Sequence, residues 1–346
     1  MEASMTSMKD VAKQAGVSIS TVSRYINGST YIEPETKRKI EKAIEETRFQ
    51  PNYIAQGLRN KKTQLIGLVV PESLSASFTD FVRHIALIAE QNGYELIIRY
   101  VKDDPEVEKV VMLKLLRYQI DGIIFIRVSD KSEVEELAKK FDRPIVCMMR
   151  GNINEKIPSV VLNNYKVGEI VANLLVRFHH KKIVCITGNQ NVAVSRERLD
   201  GFIDNLAKNN IVLPKENIYE GHFTYESGID AIDYFISQNI EFTAVWGSND
   251  LMAIGAMNRL QQYDLSVPKD VSVVGVDNSA IAHMLNPPLT TIAQPIEEMC
   301  KAAVELLISL IHPKEGTPLE DRIVFEPSIV LRGTLLPIKT NEEIMI

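Results

Sequence analysis

Two sets of residues in this sequence have the types and spacing to meet a ligand. In MKDVAKQAGVSISTVSRYIN (Met8–Asn27), helical spacing puts Ile19, Ser20, Thr21, Ser23, Arg24 and Asn27 on one outward face. Short hydroxyls, one amide and one guanidinium are suited to base edges and phosphates in a nucleic-acid groove. The second set follows the ends of predicted strands: Glu72–Phe78 after Val70, Arg150 after Met149, and Arg196 and Arg198 beyond Thr187. Ser248, Asn249 and Asp250 follow Trp246, and Asp277 and Asn278 follow Val276. Carboxylates and guanidinium groups bridge pairs of hydroxyls, and rings such as Phe223 and Trp246 stack on a sugar face, so this chemistry is recognition of a polyhydroxylated small molecule. Singly, Asn249 and Asp277 read equally well as helix N-caps. Their convergence with the others makes the case for a site.

Signatures of catalysis are missing from the sequence. No GxGxxG follows a strand, and neither a GxxxxGK[ST] loop nor a GxSxG elbow occurs. The histidines (His84, His179, His180, His222, His283, His312) form no HExxH, and His179–His180 at a helix end reads as a solvated pair favoured by the helix dipole. Cys147, Cys185 and Cys300 lie far apart without a CxxC, which speaks against a disulfide framework or a cysteine zinc site. The expectation is a binding protein, not an enzyme, with no cofactor and no metal.

The first set needs helices to present it. Val11, Ala12 and Ala15 recur at helical spacing, Gly16 can take the positive φ of a tight turn, and Ser18 can cap a second helix whose inner face is Val22 and Ile26. That is a helix-turn-helix unit, with a plain helical hairpin as the rival reading. A third helix starts at Glu33-Pro34 and buries Ile40, Ala43 and Ile44; its Lys37, Arg38, Lys39 and Lys42 are phosphate contacts or simply a solvated face. Next, FQPNYIAQGLRNKKT holds a helix too short to be stable alone, carrying Leu58 as an apolar residue in a polar linker. Leu58 could wedge between base pairs in a minor groove, or rest on the next domain.

Charge divides the chain at the same place. Residues 1–62 carry a net +4 and the remainder −10, within a total of −6. A basic segment on an acidic body suits an anionic partner for the segment and a different role for the body. The chain, at 346 residues and 45% hydrophobic, is long enough for two or three domains. No apolar run approaches a membrane span, and MEASMTSMKDVAKQ has no secretory stretch, so the expectation is a cytoplasmic protein without membrane contact.

From Leu65 the pattern becomes strand–helix alternation. LIGLVVP, YELIIRY, DGIIFI, PIVCMM, KIVCIT, TAVWG and VSVVGVD are short β-branched runs of the kind buried on both faces of a parallel sheet. Amphipathic stretches lie between them at Phe78–Gln91, Glu106–Leu116, Ser132–Lys140, Lys166–Phe178, Arg196–Asn209, Tyr225–Ser237, Asp250–Gln262 and Pro295–Ile311. This predicts doubly wound α/β layers, best divided into two lobes. The polar interruption at Gly151–Ser159 marks the break, and a return near Thr290–Gln294 places the last helix back in the first lobe.

DVAKQAGVSISTVSRYIN followed by PETKRKIEKAIEETRFQPNYIAQGL closely resembles the DNA-binding headpiece of the lactose-repressor/galactose-repressor family of bacterial transcription regulators. The body resembles that family's effector-binding core, built like periplasmic sugar-binding proteins, through GLVVP, IDGIIF, RLDGF, NDLMAIGAM, VPKDVSVVGVDN and PPLTTIAQP. The resemblance implies that Ile19, Ser20 and Arg24 read the major groove, with Ser18, Thr21, Ser23 and Asn27 on phosphates. It implies that Asn52, Ala55 and Leu58 belong to the minor-groove segment. Arg198, Asn249 and Asp277 fall at effector positions, Phe223 at an aromatic wall, and Ser77 and Phe78 in the first-lobe loop. Asp250 reads as its helix's cap. Met149-Arg150 departs from the family's usual acid or aromatic there, which leaves room for a phosphorylated or carboxylated ligand beside a neutral sugar.

The implied organisation is an all-α helix-turn-helix headpiece (1–50), a hinge helix or linker (51–63) and a two-lobed periplasmic-binding-protein-like α/β core (64–346). In that core the first lobe covers about 64–150 and 295–325, the second about 151–290. The implied function is a ligand-responsive transcriptional regulator, a repressor, that binds operator DNA as a homodimer and responds to a sugar, sugar phosphate or related metabolite. The tail LLPIKTNEEIMI is too short for a heptad extension, which favours a dimer over a tetramer. Effector binding would shift the lobes and hence the marginal linker helices, for which a coupling of ~1–3 kcal/mol suffices. Control by a protein corepressor, and a solute-binding transport role, are the alternatives.

Overall fold

The computed structural model describes residues 6–26, 31–49, 63–72, 76–102, 104–126, 136, 139–140, 143–149, 157–313 and 322–338. Asn27, Asn52, Ala55, Leu58 and Arg150, and most of the helix expected at Ser132–Lys140, lie outside these residues. The chain forms two compact units, Met1–Thr63 and Gln64–Ile346.

In the first unit α1 (Met8–Ala15), α2 (Ile19–Ile26) and α3 (Pro34–Thr47) enclose a small core of Val11, Ala12, Ala15, Val22, Ile40, Ala43 and Phe49. Gly16 closes α1 at φ 66°, a conformation that costs a side-chain-bearing residue strain. Ser18 caps α2: its Oγ accepts from the Thr21 backbone N–H at 3.1 Å. Tyr25 donates to Glu41 at 2.9 Å, tying α2 to α3. The lysines of α3 are spent locally, since Lys37–Glu41, Lys39–Glu35 and Lys42–Glu46 are ion pairs one turn apart.

The second unit contains two sheets. The first has the order β11-β5-β4-β3-β1-β2, from β1 (Leu65–Pro71), β2 (Glu95–Val101), β3 (Gly122–Phe125), β4 (Ile145–Met148), β5 (Ser159–Leu162) and β11 (Arg322–Phe325). The second has the order β12-β10-β9-β8-β6-β7. Its strands are β6 (Ile183–Thr187), β7 (Ile218–Glu220), β8 (Ala244–Gly247), β9 (Ser272–Asp277), β10 (Thr290–Ala293) and β12 (Ser328–Val330). All pairings are parallel except β10–β12. The connecting helices are α4 (Ala76–Gln91), α5 (Pro105–Arg117), α6 (Asn164–Arg177), α7 (Ala193–Lys208), α8 (Tyr225–Ser237), α9 (Asp250–Gln262) and α10 (Ile296–Ile311). This is the two-lobed α/β architecture expected from the alternation.

One boundary moves. The polar stretch at Gly151–Ser159 suggested the crossing between lobes, but Ser159–Leu162 pairs with β4 and β11 in the first sheet. The chain crosses after Leu162, returns after Ala293 so that α10 packs on α4, and crosses again between Phe325 and Ser328. Three apolar residues, Val160 to Leu162, between Ser159 and Asn163 are too short a run to stand out as a strand.

Two helix pairs in the second lobe pack backbone to backbone. A Cβ on Gly168 would lie 2.0 Å from the Arg198 carbonyl oxygen, and one on Gly201 would lie 2.0 Å from that of Tyr165. The α8–α9 pair repeats the device, with Gly228 against Met252 and Gly255 against Tyr225, at 2.1 and 2.0 Å. Such contact fixes α7, and hence Arg198, relative to α6.

Candidate functional site

Of the outward face expected on α2, Ile19, Ser20 and Arg24 are exposed, whereas Thr21 and Ser23 are half-buried. Ile19 is 49% exposed, a large apolar side chain with no core to fill, and Ser20 and Arg24 are exposed beside it. Arg24 Nε donates back to the Ser20 carbonyl at 3.4 Å. Ser18 and Thr21 are already hydrogen-bonded to each other, hydroxyl to hydroxyl at 2.8 Å, and Ser23 is half-buried. Ile19, Ser20 and Arg24 are therefore the residues of this face most open to a partner.

In the core, parallel strands bring β6, β8, β9 and β10 to one carboxyl edge, where ligands of open α/β sheets bind. Arg198 on α7 reaches this edge and is 3% exposed. Its Nε donates to Asn164 Oδ1 at 3.0 Å and its Nη1 to the Ser248 carbonyl at 2.6 Å, both neutral acceptors. Burial weakens its hold on the proton, opposed by the charges of Asp277, Glu197 and Asp250, and a guanidinium stays cationic through such a shift.

Asp277 ends β9 with φ 123°, and Asn278 follows at φ 56°. Two successive residues in left-handed backbone store strain of the kind that accumulates at binding sites. Burial pushes the Asp277 carboxyl up to about 7, reinforced by Asp250 and opposed by Arg198 and by the Gln294 hydrogen bond. Gln294 Nε2 donates to Asp277 Oδ1 at 2.6 Å. Ser195 Oγ in the first turn of α7, Ser248 Oγ after β8 and Gln294 Oε1 after β10 are buried and have no hydrogen-bond partner among the described residues.

Asn249 caps α9, accepting from the Met252 N–H at 2.9 Å, and its amide also donates to the Phe223 carbonyl at 2.9 Å. Phe223, at φ 61°, lays its ring on the end of β6: a Cβ on Gly188 would meet the ring at 2.0 Å. Phe223 is half-buried there. Ser77 and Phe78 lie in the first turn of α4, at the carboxyl end of β1; their side chains, like Arg150, are outside the described residues.

Three expectations are corrected. Trp246, read as a stacking wall, is fully buried and packs on Phe202 with ring centroids 4.4 Å apart. Strand parity decides this: Ala244 and Trp246 point into the core shared with Phe202, Val245 into the opposite one. Its indole Nε1 has no partner there. Asp250 does not cap its helix. It accepts from Thr291 Oγ1 at 2.6 Å and from the N–H and hydroxyl of Ser279 at 2.7 and 2.8 Å. His180 is not solvated: it is 1% exposed, bonded to Thr243 Oγ1 at 2.9 Å and the Leu336 carbonyl at 3.0 Å. Gln294 and Asn164 were not singled out in the sequence; Gln294 stands in AQP just beyond β10, a position that strand-end inspection could have reached.

Among the described residues no group of three or more histidine, cysteine or acidic side chains is arranged to hold a metal, and no helix is long and apolar enough to cross a membrane. The model for the lacI family of bacterial regulatory proteins matches residues 7–52, and that for a periplasmic binding protein-like domain matches residues 172–335. The HTH-type transcriptional repressor PurR of Vibrio vulnificus is 35% identical, covering 96% of this chain and 99% of its own. The ribose operon repressor of Haemophilus influenzae is 32% identical over 97% of this chain and 100% of its own. Among solved structures, the lac repressor dimer bound to operator and the anti-inducer ONPF superposes with a TM-score of 0.85 at 28% identity, covering 96% of this chain and 100% of that one. With headpiece, core and relatives in agreement over nearly the whole length, this chain belongs to the lacI family of bacterial regulatory proteins, as a ligand-responsive, DNA-binding transcriptional regulator and not an enzyme.

Proposed function

We propose that this protein is a homodimeric repressor acting on operator DNA in the cytoplasm, and that a polyhydroxylated metabolite bound at the carboxyl edge of the second sheet alters its grip on that DNA. The observation that carries the reading is the buried charge and unmet hydrogen-bonding capacity around Arg198 and Asp277. A buried guanidinium and a buried carboxyl, each hydrogen-bonded only to neutral groups, together with unpartnered buried atoms on Ser195, Ser248 and Gln294, are costly unless a ligand completes the bonding. Arg198, Asp277, Gln294 and Asn249 would bind hydroxyls, Phe223 would cover one ring face, and Ser77, Phe78 and Arg150 would close the site from the first lobe. Trp246 supports β8 from beneath.

On the headpiece, Ile19, Ser20 and Arg24 would read bases; Ser18, Thr21, Ser23 and Asn27 would settle on phosphates; and Asn52, Ala55 and Leu58 would enter the minor groove. A dimer presents two such headpieces, which matches a pseudo-palindromic site. A protein corepressor would favour a basic or apolar patch on the first lobe. The outer face of α10, with Glu297, Glu298 and a Lys301–Glu305 pair, offers no such patch.

The test is a melting screen of the full chain with D-ribose, cellobiose, glucose 6-phosphate, adenine and glutamate. A compound present at 100 times its Kd adds ~2.7 kcal/mol of stability. A positive compound should lose its effect in Arg198→Ala and Asp277→Ala and should change the anisotropy of a labelled operator bound by the wild type. If no compound in the panel raises the melting temperature, the small-molecule reading gives way to a protein signal.

A further inference from the structure

We propose that Asn164 is a positioning residue that joins Arg198 to the point where the chain first crosses between the lobes. The proposal rests on the reading of Arg198 as an effector contact. Asn164 opens α6, is 4% exposed, and uses both ends of its amide: Oδ1 accepts from Arg198 Nε at 3.0 Å, and Nδ2 donates to the Leu162 carbonyl at 3.2 Å. Leu162 is the last residue of β5 in the first sheet, whereas Arg198 belongs to the second lobe. One planar amide therefore bridges the two.

The neighbouring residue anchors the same point. Asn163 donates its N–H to the Phe325 carbonyl at 2.9 Å and its Nδ2 to Glu326 Oε1 at 2.9 Å, so the first and third crossings are tied side by side. The Gly168–Gly201 contact holds α6 and α7 as one body, so Arg198 cannot be displaced with its helix independently of Asn164. What can still turn is the guanidinium itself, held at Nε by Asn164 and at Nη1 by the Ser248 carbonyl. Its planar fork keeps Nε and the two Nη atoms in fixed relation, so a ligand that draws the Nη end also turns Nε. Nε turns the Asn164 amide, and the amide pulls on Leu162. Burial keeps water from substituting for either bond, which makes this linkage stiff.

The test needs no effector. Cysteines at Glu90 and Lys215, both exposed and one on each lobe, accept a dye pair, while Cys147, Cys185 and Cys300 are buried and do not compete. Interlobe energy transfer is then measured in the ligand-free full chain for the parent, Arg198→Met, Asn164→Asp and the double variant. Asn164→Asp keeps the acceptor for Arg198 Nε and removes the amide donor that serves the Leu162 carbonyl and the Glu197 carboxylate. We expect Arg198→Met to shift the transfer efficiency in the parent and to add no shift on top of Asn164→Asp; Asn164→Ser is run in parallel in case the aspartate variant folds poorly. Equal shifts in both backgrounds, or no shift in the parent, overturn the proposal, and a merely structural Asn164 would lower the melting temperature while leaving the shifts additive. If D-ribose, cellobiose, glucose 6-phosphate, adenine and glutamate all fail to stabilise the parent, the effector assignment falls, and the ligand-free comparison still decides the role of Asn164.

Discussion

Asp250 Oδ2 accepts both the backbone N–H and the hydroxyl of Ser279, at 2.7 and 2.8 Å, and so fastens the start of α9 to the turn that follows β9. Asp250 Oδ1 accepts from Thr291 on β10 at 2.6 Å, and Arg332 clasps Asn278 from the other side. The left-handed pair Asp277–Asn278 is thus held by neighbours rather than by its own preference. Replacing Asp250 by alanine leaves the Ser279 and Thr291 donors unpaired in a buried place. The expected loss is about 2–4 kcal/mol in urea-induced unfolding, from several charge-assisted bonds at once. A loss below about 0.5 kcal/mol, the scale of an ordinary surface change, would show that the turn holds itself.

Asp277 makes stability depend on pH in a direction opposite to most carboxylates. Its folded pKa of about 7 lies above the unfolded value of 3.8, so between these the native state binds the extra proton. Unfolding free energy from this group is therefore fully present below the unfolded pKa and is lost as pH rises through about 7. Asp250, raised by its own burial, acts in the same sense, whereas half-buried Asp233 and exposed Glu241, lowered by hydrogen bonds from Arg259 and Lys182, act in the other. The informative quantity is the difference between wild type and Asp277→Asn. The variant should gain relative stability as pH is raised from 4 to 7, measured by urea midpoints at fixed salt. A pH-independent difference would mean that Asp277 stays ionised in the fold.

How far the sequence carried depends on the range of the forces involved. Strands, helices and the glycine turn at Gly16 are set by neighbours a few residues away, and they were legible. The placement of Arg198, Asn249 and Asp277 at one carboxyl edge was legible because strand ends in parallel sheets converge there whatever the details of packing. Trp246 was misread because residue type suggested a stacking wall, while strand parity and Phe202 on α7 decided its place. His180 was misread because its partners, Thr243 and Leu336, are distant in sequence. The reciprocal Gly168–Gly201 contact left only two ordinary glycines in helical stretches as a sign, and the lobe crossing at Asn163 depended on a four-residue strand.

On the headpiece, capping and reading separate cleanly. Ser18 Oγ accepts from the Thr21 N–H, so Ser18→Ala should cost about 1 kcal/mol of headpiece stability and weaken operator binding through loss of structure. Ile19 is half out in solvent, so Ile19→Ala should leave the unfolding free energy within about 0.5 kcal/mol of unchanged. It should still weaken specific operator binding more than binding to unrelated duplex. Equal losses on both duplexes, at constant salt, would remove Ile19 from the reading set. Arg24→Ala should additionally reduce the salt dependence if its guanidinium meets a phosphate, and leave it unchanged if it meets a base.

Trp246 is the sole tryptophan in the chain, so its emission reports on one place, the underside of β8. Fully buried against Phe202, it should emit at the short-wavelength end of the tryptophan range and resist quenching by iodide. Trp246→Phe removes ring area from a packed core and should cost about 1–3 kcal/mol, a packing loss smaller than truncation to alanine. Because the ring supports the strand rather than the ligand, the variant should keep the stabilisation given by whichever probe acts on the wild type, whereas Asp277→Ala should lose it. The same probe should alter the wild-type emission only slightly, through the two-residue link from Trp246 to Ser248 and the Arg198 bond on its carbonyl. Strong direct quenching by the probe, together with loss of its effect in Trp246→Phe, would restore the indole to the binding surface and would require the second lobe to open beneath β8.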